Sequence, residues 1–142
     1  MAFEHLESDA LRRVLTPHPR YDEEERDCFY GAMAFLGALL ARHGVAAILD
    51  GTAHRRAYRA RARAAIPRYL EVLVDCPAGL CAARDPKGLY RAAREGALAT
   101  LPGAQAAYEP PESPDLVVHT DLESPEAAAG RIVALLVERG WI

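Results

Sequence analysis

An aspartate and an arginine, Asp9 and Arg12, lie one helical turn apart after a short apolar stretch near the start of the chain. That spacing places a carboxylate and a guanidinium group on one side of a helix. Such a carboxylate can take a proton from an attacking hydroxyl, and the guanidinium can hold an anion. In the alternative interpretation Asp9 caps the helix and Arg12 lies in solvent. The spacing alone leaves both interpretations open.

A second candidate site is the polar segment Asp50-Gly51-Thr52-Ala53-His54-Arg55-Arg56, which follows a fully apolar run. It combines a carboxylate, a hydroxyl, an imidazole and two guanidinium groups on one strand-to-helix loop. Parallel α/β sheets bind ligands beyond the carboxyl ends of their strands, so Thr52 and its neighbours are candidates for an anion pocket. In the alternative interpretation Thr52 caps the next helix and both arginines are exposed.

The most specific string in the chain is Arg84-Asp85-Pro86-Lys87-Gly88-Leu89-Tyr90. Proline and glycine fix a turn from which Lys87 projects. Lys87 is the one lysine among the 17 basic residues. A strong arginine bias would have replaced a lysine that supplied only charge, which suggests a role for the compact ammonium group.

Neither the cysteines nor the histidines form a metal-binding pattern. Cys28, Cys76 and Cys81 contain no C-x-x-C pair, and the histidines are scattered along the chain. We therefore assign no metal ligand and expect three reduced core thiols.

Apolar runs of strand length alternate with longer helical patterns, which predicts an α/β fold with a parallel sheet. Strands are expected at 3–6, 45–49, 69–74 and 116–119. Helices are expected at 10–15, 22–43, 55–66, 78–83, 89–95 and 124–139, with Ser8 or Asp9, Asp22 and Ser124 as caps. The long excursion between residues 84 and 114 is typical of a lid or binding loop.

The composition favours one globular domain spanning residues 1–142, with 51% hydrophobic and 26% charged residues. A net charge of −3 argues against a nucleic-acid partner. No run reaches the ~18 apolar residues that a membrane span needs, so no membrane partner is expected. The first residues lack a basic segment followed by an apolar one, so we expect a cytoplasmic protein with a small-molecule substrate.

Several strings in the second half resemble the adenylylsulfate kinases, P-loop kinases that phosphorylate the 3'-hydroxyl of adenosine 5'-phosphosulfate with MgATP. These strings are Asp75-Cys76-Pro77, residues 81–90, residues 108–116 and Thr120-Asp121, in the family's order and at its spacing. In the first half, residues 6–12 resemble the family's Asp-Gly-Asp-Asn-x-Arg segment. Residues 21–26 resemble its aromatic-Ser-Glu-Glu-Asp-Arg segment. The resemblance covers essentially the whole chain.

The resemblance implies a P-loop-kinase-like, three-layer α/β/α fold with a parallel sheet. It also implies roles for residues in the first half. Asp9 would be the base near the ribose hydroxyl, while Arg12 and Arg26 would hold the phosphosulfate. Tyr21 would stack near the adenine of the substrate. Phosphoryl transfer depends mostly on positioning and charge neutralisation, which these residue types can supply.

In the second half the resemblance places Lys87, Gly88 and Leu89 in a lid over the substrate. It assigns Arg84 to the nucleotide cofactor, and Thr52 is kept as a substrate-binding candidate. The implied cofactors are ATP and Mg²⁺. The implied partner is a small nucleotide, with a second copy of the chain as a candidate for a homodimer.

The largest departure from the family concerns the phosphate loop. No G-x-x-x-x-G-K-[ST] string, which forms that loop, occurs in the 142 residues. Only six residues precede Glu7, whereas a βαβ unit needs roughly 30. In the family's sheet order the absent first strand lies centrally, between the strands at 45–49 and 69–74. We therefore expect either a split sheet, or closure by another chain or by residues 1–6. We also expect the chain as given to be inactive.

Other departures affect the expected substrate. Phe29 stands where the family has an asparagine, and Gly31 and Ala32 replace arginines. Leu101-Pro102-Gly103 replaces the family's Phe-Thr-Gly and loses an aromatic that stacks on the adenine. Two alternatives therefore stay open: a non-catalytic nucleotide-binding or regulatory module, and a kinase for another small hydroxylated substrate.

Overall fold

The computed structural model describes residues 3–97 and 107–142, which divide into two compact units. Unit 1 comprises the described residues of Met1–Tyr69 together with Tyr108–Pro110. Unit 2 comprises the described residues of Leu70–Ala107 and Pro111–Ile142. Both units combine helices with parallel strands, so the predicted α/β class is confirmed. The Leu101-Pro102-Gly103 string lies outside the described residues.

Unit 1 is built on a pair of parallel strands in which Phe3 lies opposite Ala46 and Glu7 lies opposite Asp50. Asp22 caps the long helix by accepting a hydrogen bond from the Glu25 N–H at 2.8 Å, as the sequence predicts. The elements of this unit are β1 (Phe3–Glu7), α1 (Ser8–Leu15), α2 (Glu23–Arg42), β2 (Ala46–Asp50) and α3 (Arg56–Ala65).

Helix α2 forms the centre of unit 1 because it packs against both β2 and α3. Its buried side chains include Phe29, Met33 and Ala38, and those of α3 are Tyr58 and Ala62. The close approach of α2 to β2 requires Gly37. A Cβ there would lie 3.1 Å from the Leu49 side chain and 3.2 Å from that of Ile66.

Unit 2 contains a second pair of parallel strands, with Val72 opposite Leu116 and Asp75 opposite His119. Ser124 caps its last helix by accepting a hydrogen bond from the Ala127 N–H at 3.2 Å, which confirms the predicted cap. The elements are β3 (Val72–Asp75), α4 (Ala78–Arg84), α5 (Leu89–Arg94), β4 (Leu116–His119) and α6 (Pro125–Glu138).

Two local predictions were wrong. Strand β3 begins at Val72 instead of Tyr69, because the Glu71 N–H donates to the Asp115 carboxylate at 2.8 Å instead of to a neighbouring strand. Helix α1 begins at Ser8 and has Glu7 as its N-cap residue, so neither Ser8 nor Asp9 caps it.

The four described strands form two separate sheets, β1 with β2 and β3 with β4. Within residues 3–97 and 107–142, no strand pairing joins β2 to β3. Of the expected alternatives, the two separate strand pairs fit the split sheet. No helix in this part of the chain has the length and apolar character needed to cross a membrane.

Candidate functional site

One carboxylate, that of Glu25, holds the first candidate site together. Arg12 Nη1 donates to Glu25 Oε1 at 2.9 Å, and the two side chains are only 11% and 10% exposed. The same carboxylate accepts hydrogen bonds from the Arg20 N–H at 2.6 Å and the Tyr21 N–H at 3.4 Å. Glu25 therefore ties α1 and the loop before α2 to the first turn of α2.

Two guanidinium groups converge on the ring of Tyr21. Arg12 Cζ lies 4.9 Å from the ring centroid and Arg26 Cζ lies 5.8 Å from it. Arg26 is buried, with 6% of its surface exposed. Tyr21 has a φ of 58°, a conformation that costs a non-glycine residue of order 1–3 kcal/mol and that is often found at ligand sites. The structure thus brings together three of the residues singled out in the sequence.

Phe29 lies beneath Arg12, with its ring centroid 4.0 Å from Arg12 Cζ. Its side chain is one of the most buried, at 2% exposure. Arg12 is therefore enclosed by Glu25, Tyr21 and Phe29. The alternative interpretation of Arg12 as a solvated side chain was wrong, because its guanidinium has both a counter-charge and aromatic neighbours.

The loop after β2 lies beside the start of α1. A Cβ added to Gly51 would lie 3.3 Å from Ser8 Cβ, so the loop touches α1 at Gly51. Thr52 is the next residue in the chain. Thr52 itself is exposed. The next residue, Ala53, has a φ of 38° and donates its N–H to the Tyr30 hydroxyl at 3.0 Å.

Thr52 does not cap the following helix, so that interpretation was wrong. Helix α3 begins at Arg56, and Arg55 at its N-cap position makes no side-chain capping bond. The Arg56 N–H donates instead to Glu109 Oε2 at 2.7 Å, and the Glu109 N–H donates to the His54 carbonyl at 2.8 Å. Glu109, distant in the chain, thus accepts a hydrogen bond from the first N–H of α3 and holds the preceding loop in place.

His54 is buried in this loop, with 6% of its surface exposed and its ring edge-on to Tyr58 at 5.6 Å. Burial lowers the pKa of His54 below 6.5, and the positive charges of Arg26 and Arg55 act in the same direction. The imidazole is therefore neutral at neutral pH and does not add positive charge beside Arg26.

The remaining candidates lie in unit 2. Arg84 Nη2 donates to the Thr120 carbonyl at 3.0 Å, and its Nη1 lies 3.3 Å from the Thr120 hydroxyl. The Asp85 carboxylate accepts the N–H groups of Tyr90 and Arg91, each at 3.0 Å, and this fixes the turn that carries the exposed Lys87.

Positive side chains surround a cavity of about 460 Å³ at this turn. Gly88, with a φ of 67°, occupies the N-cap position of α5, and Leu89 is the first residue of that helix. The charged lining residues are Arg84, Asp85, Lys87, Arg91 and Arg94. The cavity suits an anionic ligand, because four of these five groups are cationic.

The predicted site residues are divided between the units. Asp9, Arg12, Tyr21, Arg26 and Thr52 belong to unit 1, whereas Arg84, Lys87, Gly88 and Leu89 belong to unit 2. Asp9 is exposed in the first turn of α1, one turn before Arg12.

Three residues that organise the site were missed in the sequence. Glu25 and Glu109 both lie inside strings that resemble the family, which marked them as candidates. The strings did not show which groups either carboxylate binds. Tyr30 gave no signal, because its hydroxyl finds Ala53 only through the tertiary fold.

The hydroxyl residue of the phosphate loop, which binds Mg²⁺ in P-loop kinases, is absent from the sequence together with its loop. Within residues 3–97 and 107–142, no group of three or more His, Cys, Asp or Glu side chains could hold a metal ion.

Comparison with known proteins shows which family this chain resembles. The family model described as adenylylsulphate kinase matches residues 1–119. The adenylyl-sulfate kinase of Microcystis aeruginosa is 35% identical over 141 residues, which cover 99% of this chain and 78% of the relative. That of Chloroflexus aurantiacus is 37% identical over 133 residues, covering 94% and 72% of the two chains.

A solved structure is similar as well. The APS kinase of Mycobacterium tuberculosis, determined in complex with AMPPNP and APS, has a TM-score of 0.87 and 30% sequence identity. The match covers 95% of this chain and 79% of that one. The sequence matches and the shared fold lead to one conclusion: this chain belongs to the adenylylsulfate kinase family.

Proposed function

We propose that this chain binds adenylyl sulfate, the acceptor in its family's reaction, through Asp9, Arg12, Tyr21 and Arg26 of unit 1. The observation that carries the proposal is the convergence of Arg12 and Arg26 on the ring of Tyr21, at 4.9 and 5.8 Å. Two positive charges beside an aromatic ring suit a ligand in which an anionic phosphosulfate adjoins a planar base. The M. tuberculosis relative, solved with APS, supports this choice of ligand.

Each residue has a separate role in this proposal. Arg12 and Arg26 neutralise the phosphosulfate, and Tyr21 stacks on the adenine. Asp9 accepts the proton of the ribose 3'-hydroxyl. The left-handed conformation of Tyr21 is maintained by the Glu25 carboxylate, so the ring is positioned before the ligand arrives.

The remaining candidate residues lie in the loop at residues 50–56 and in the turn at residues 85–89, and we assign them as follows. Thr52 offers a hydroxyl to the same acceptor. The family resemblance assigns Lys87, Gly88 and Leu89 to substrate binding and Arg84 to ATP. The cationic cavity at this turn supports an anionic ligand there.

The donor side lacks the groups that P-loop kinases use. Backbone amides and a lysine of the phosphate loop hold ATP and stabilise the transition state, and this sequence contains no such loop. The polypeptide of these 142 residues therefore has no measurable turnover with MgATP and adenylyl sulfate. A coupled assay for ADP release tests this directly. Release at rates ordinary for kinases, on the order of 1–100 per second, would show that the donor side is intact.

Calorimetry with adenylyl sulfate tests the acceptor side. We expect binding, and Arg26→Ala should weaken it by roughly 1.5–3 kcal/mol through loss of a charged hydrogen bond. The matched control is Arg42→Ala, at the opposite end of the same helix. Binding that is absent, or that falls equally in both variants, would contradict the assignment of Arg26.

A second candidate function is binding of a different hydroxylated nucleotide, and Phe29 is the observation that favours it. This ring packs on Arg12 at the position of the family's asparagine, so a polar group near the acceptor is lost. Tighter binding of a nucleotide without the sulfate, such as adenosine 5'-phosphate, would favour this candidate over adenylyl sulfate.

A further inference from the structure

Two of the three cysteines lie on either side of the start of α4. Cys76 follows β3, and Cys81 is in the second turn of α4. The Cys81 thiol lies 3.8 Å from the Cys76 carbonyl oxygen. The Cys81 N–H donates to the Pro77 carbonyl at 3.0 Å, so a helical turn fixes the separation of the two thiols.

Each thiol also contacts a residue that borders the turn carrying Lys87. Arg84 Nη1 lies 3.8 Å from Cys76 Sγ, and the Tyr90 side chain is near enough to the Cys81 thiol for each to shift the pKa of the other. Arg84 precedes the turn and Tyr90 follows it. A chemical change at the two sulfurs therefore reaches both ends of the segment 85–89.

We propose that Cys76 and Cys81 are a dithiol modification site, which a low-molecular-weight disulfide such as oxidised glutathione converts into an intramolecular disulfide. The disulfide removes the thiol contacts of Arg84 and Tyr90 and loosens the segment 85–89. The two cysteines belong to unit 2, and the proposal does not depend on adenylyl sulfate being the ligand.

The reaction proceeds in two exchange steps. The Cys76 sulfur, as thiolate, attacks one sulfur of oxidised glutathione. The glutathione S–S bond breaks, and one glutathione thiolate leaves and takes up the proton that Cys76 released. The Cys81 thiol then loses its proton, and its sulfur attacks the Cys76 sulfur and displaces the second glutathione. Two protein thiols are oxidised, and one glutathione disulfide is reduced to two thiols.

Cys76 is the attacking residue and Cys81 the resolving residue. Burial raises the pKa of the Cys81 thiol, and the neighbouring Cys76 adds to this, so Cys81 is the poorer initial nucleophile. Both thiols are partly buried, whereas Cys28 is exposed. If access alone decided the reaction, Cys28 would react first.

The experiment treats the full chain with oxidised glutathione and analyses tryptic peptides by mass. Cleavage after Arg68 and Arg84 releases one peptide, residues 69–84, that holds both cysteines, while Cys28 falls in residues 27–42. We expect peptide 69–84 to become lighter by two hydrogen atoms and to regain them with dithiothreitol. Cys28→Ser should behave in the same way.

Variants trap the first step. In Cys81→Ser, Cys76 should keep one glutathione, an adduct that the wild-type peptide loses through closure. Hydrogen exchange at the N–H groups of Tyr90 and Arg91, which donate to Asp85, should become faster in the oxidised chain. Two free thiols in peptide 69–84 while Cys28 is modified would overturn the proposal, as would a stable wild-type adduct on Cys76.

Discussion

At the scale of single residues, the Glu25 carboxylate does more for the candidate site than any group that would touch the ligand. It accepts hydrogen bonds from Arg12, from the Arg20 N–H and from the Tyr21 N–H. Because Glu25 and Arg12 are both about nine-tenths buried, the loss of one charge would leave the other without its ion pair. Replacing Glu25 should therefore destabilise the candidate site as much as replacing one of the arginines.

Glu25→Gln should lower both the stability of the chain and its affinity for adenylyl sulfate. The amide keeps the shape but removes the charge, which should cost about 1–3 kcal/mol of the free energy of unfolding. Urea unfolding measures the first effect and calorimetry the second. Glu24→Gln, on the exposed neighbouring residue, is the matched control. Equal stability of the two variants would show that Glu25 does not hold Arg12 in solution.

The buried His54 should give the chain a pH-dependent stability. The folded pKa of His54 lies below its unfolded value of 6.5, so the unfolded state binds more protons in acid. Its contribution is fully present above about pH 6.5 and is lost as the pH falls through the folded pKa. The free energy of unfolding should therefore drop between about pH 7.5 and about pH 5.5, and less so in His54→Gln. His18→Gln, in an exposed loop, should keep the wild-type slope.

At the scale of elements, the sequence predicted those whose boundaries are encoded locally. Helix α2 has a capping aspartate at its start and Gly44, with a φ of 74°, past its end, and both signals lie within the chain around it. The start of β3 could not be predicted in this way. It depends on Asp115, which is 44 residues from Glu71 and binds its N–H.

The candidate site was likewise predictable only in those features that the local sequence encodes. The residue types at Arg12, Tyr21 and Arg26 were visible in the sequence. Their convergence was not, because it depends on a left-handed Tyr21 that no local pattern requires. The capping of α3 by Glu109, 53 residues from Arg56, was hidden for the same reason.

Gly37 allows the closest approach in unit 1, and its replacement tests the packing of α2 on β2. Gly37→Val would press on Leu49 and Ile66, whose side chains lie 3.1–3.2 Å from a Cβ at this position. Overpacking of this kind costs typically 1–3 kcal/mol. Gly130→Val in α6 is the matched control, because a Cβ there has open space. Thermal or urea unfolding should show a loss for Gly37→Val alone, and similar results for both would argue against tight packing.

At the scale of the whole chain, the two separate sheets have consequences for association. Among the described residues, β2 pairs only with β1 and β3 pairs only with β4, which leaves one edge of each strand unpaired. Apolar side chains on these strands are also exposed, Ile48 at 51% and Val74 at 65%. Unpaired edges with exposed apolar side chains favour pairing with another chain.

We therefore expect the chain to associate with itself as its concentration rises, and Ile48→Lys to weaken that association. A lysine on an edge strand places a charge, and its hydration shell, where a second strand would have to pack. Val14→Lys is the matched control, since Val14 is 78% exposed but belongs to helix α1 and not to a strand. Light scattering over a concentration series should give a rising mass for the wild type and Val14→Lys, and a smaller rise for Ile48→Lys. A constant monomer mass in the wild type, or equal effects of the two lysines, would show that the strand edges do not drive association.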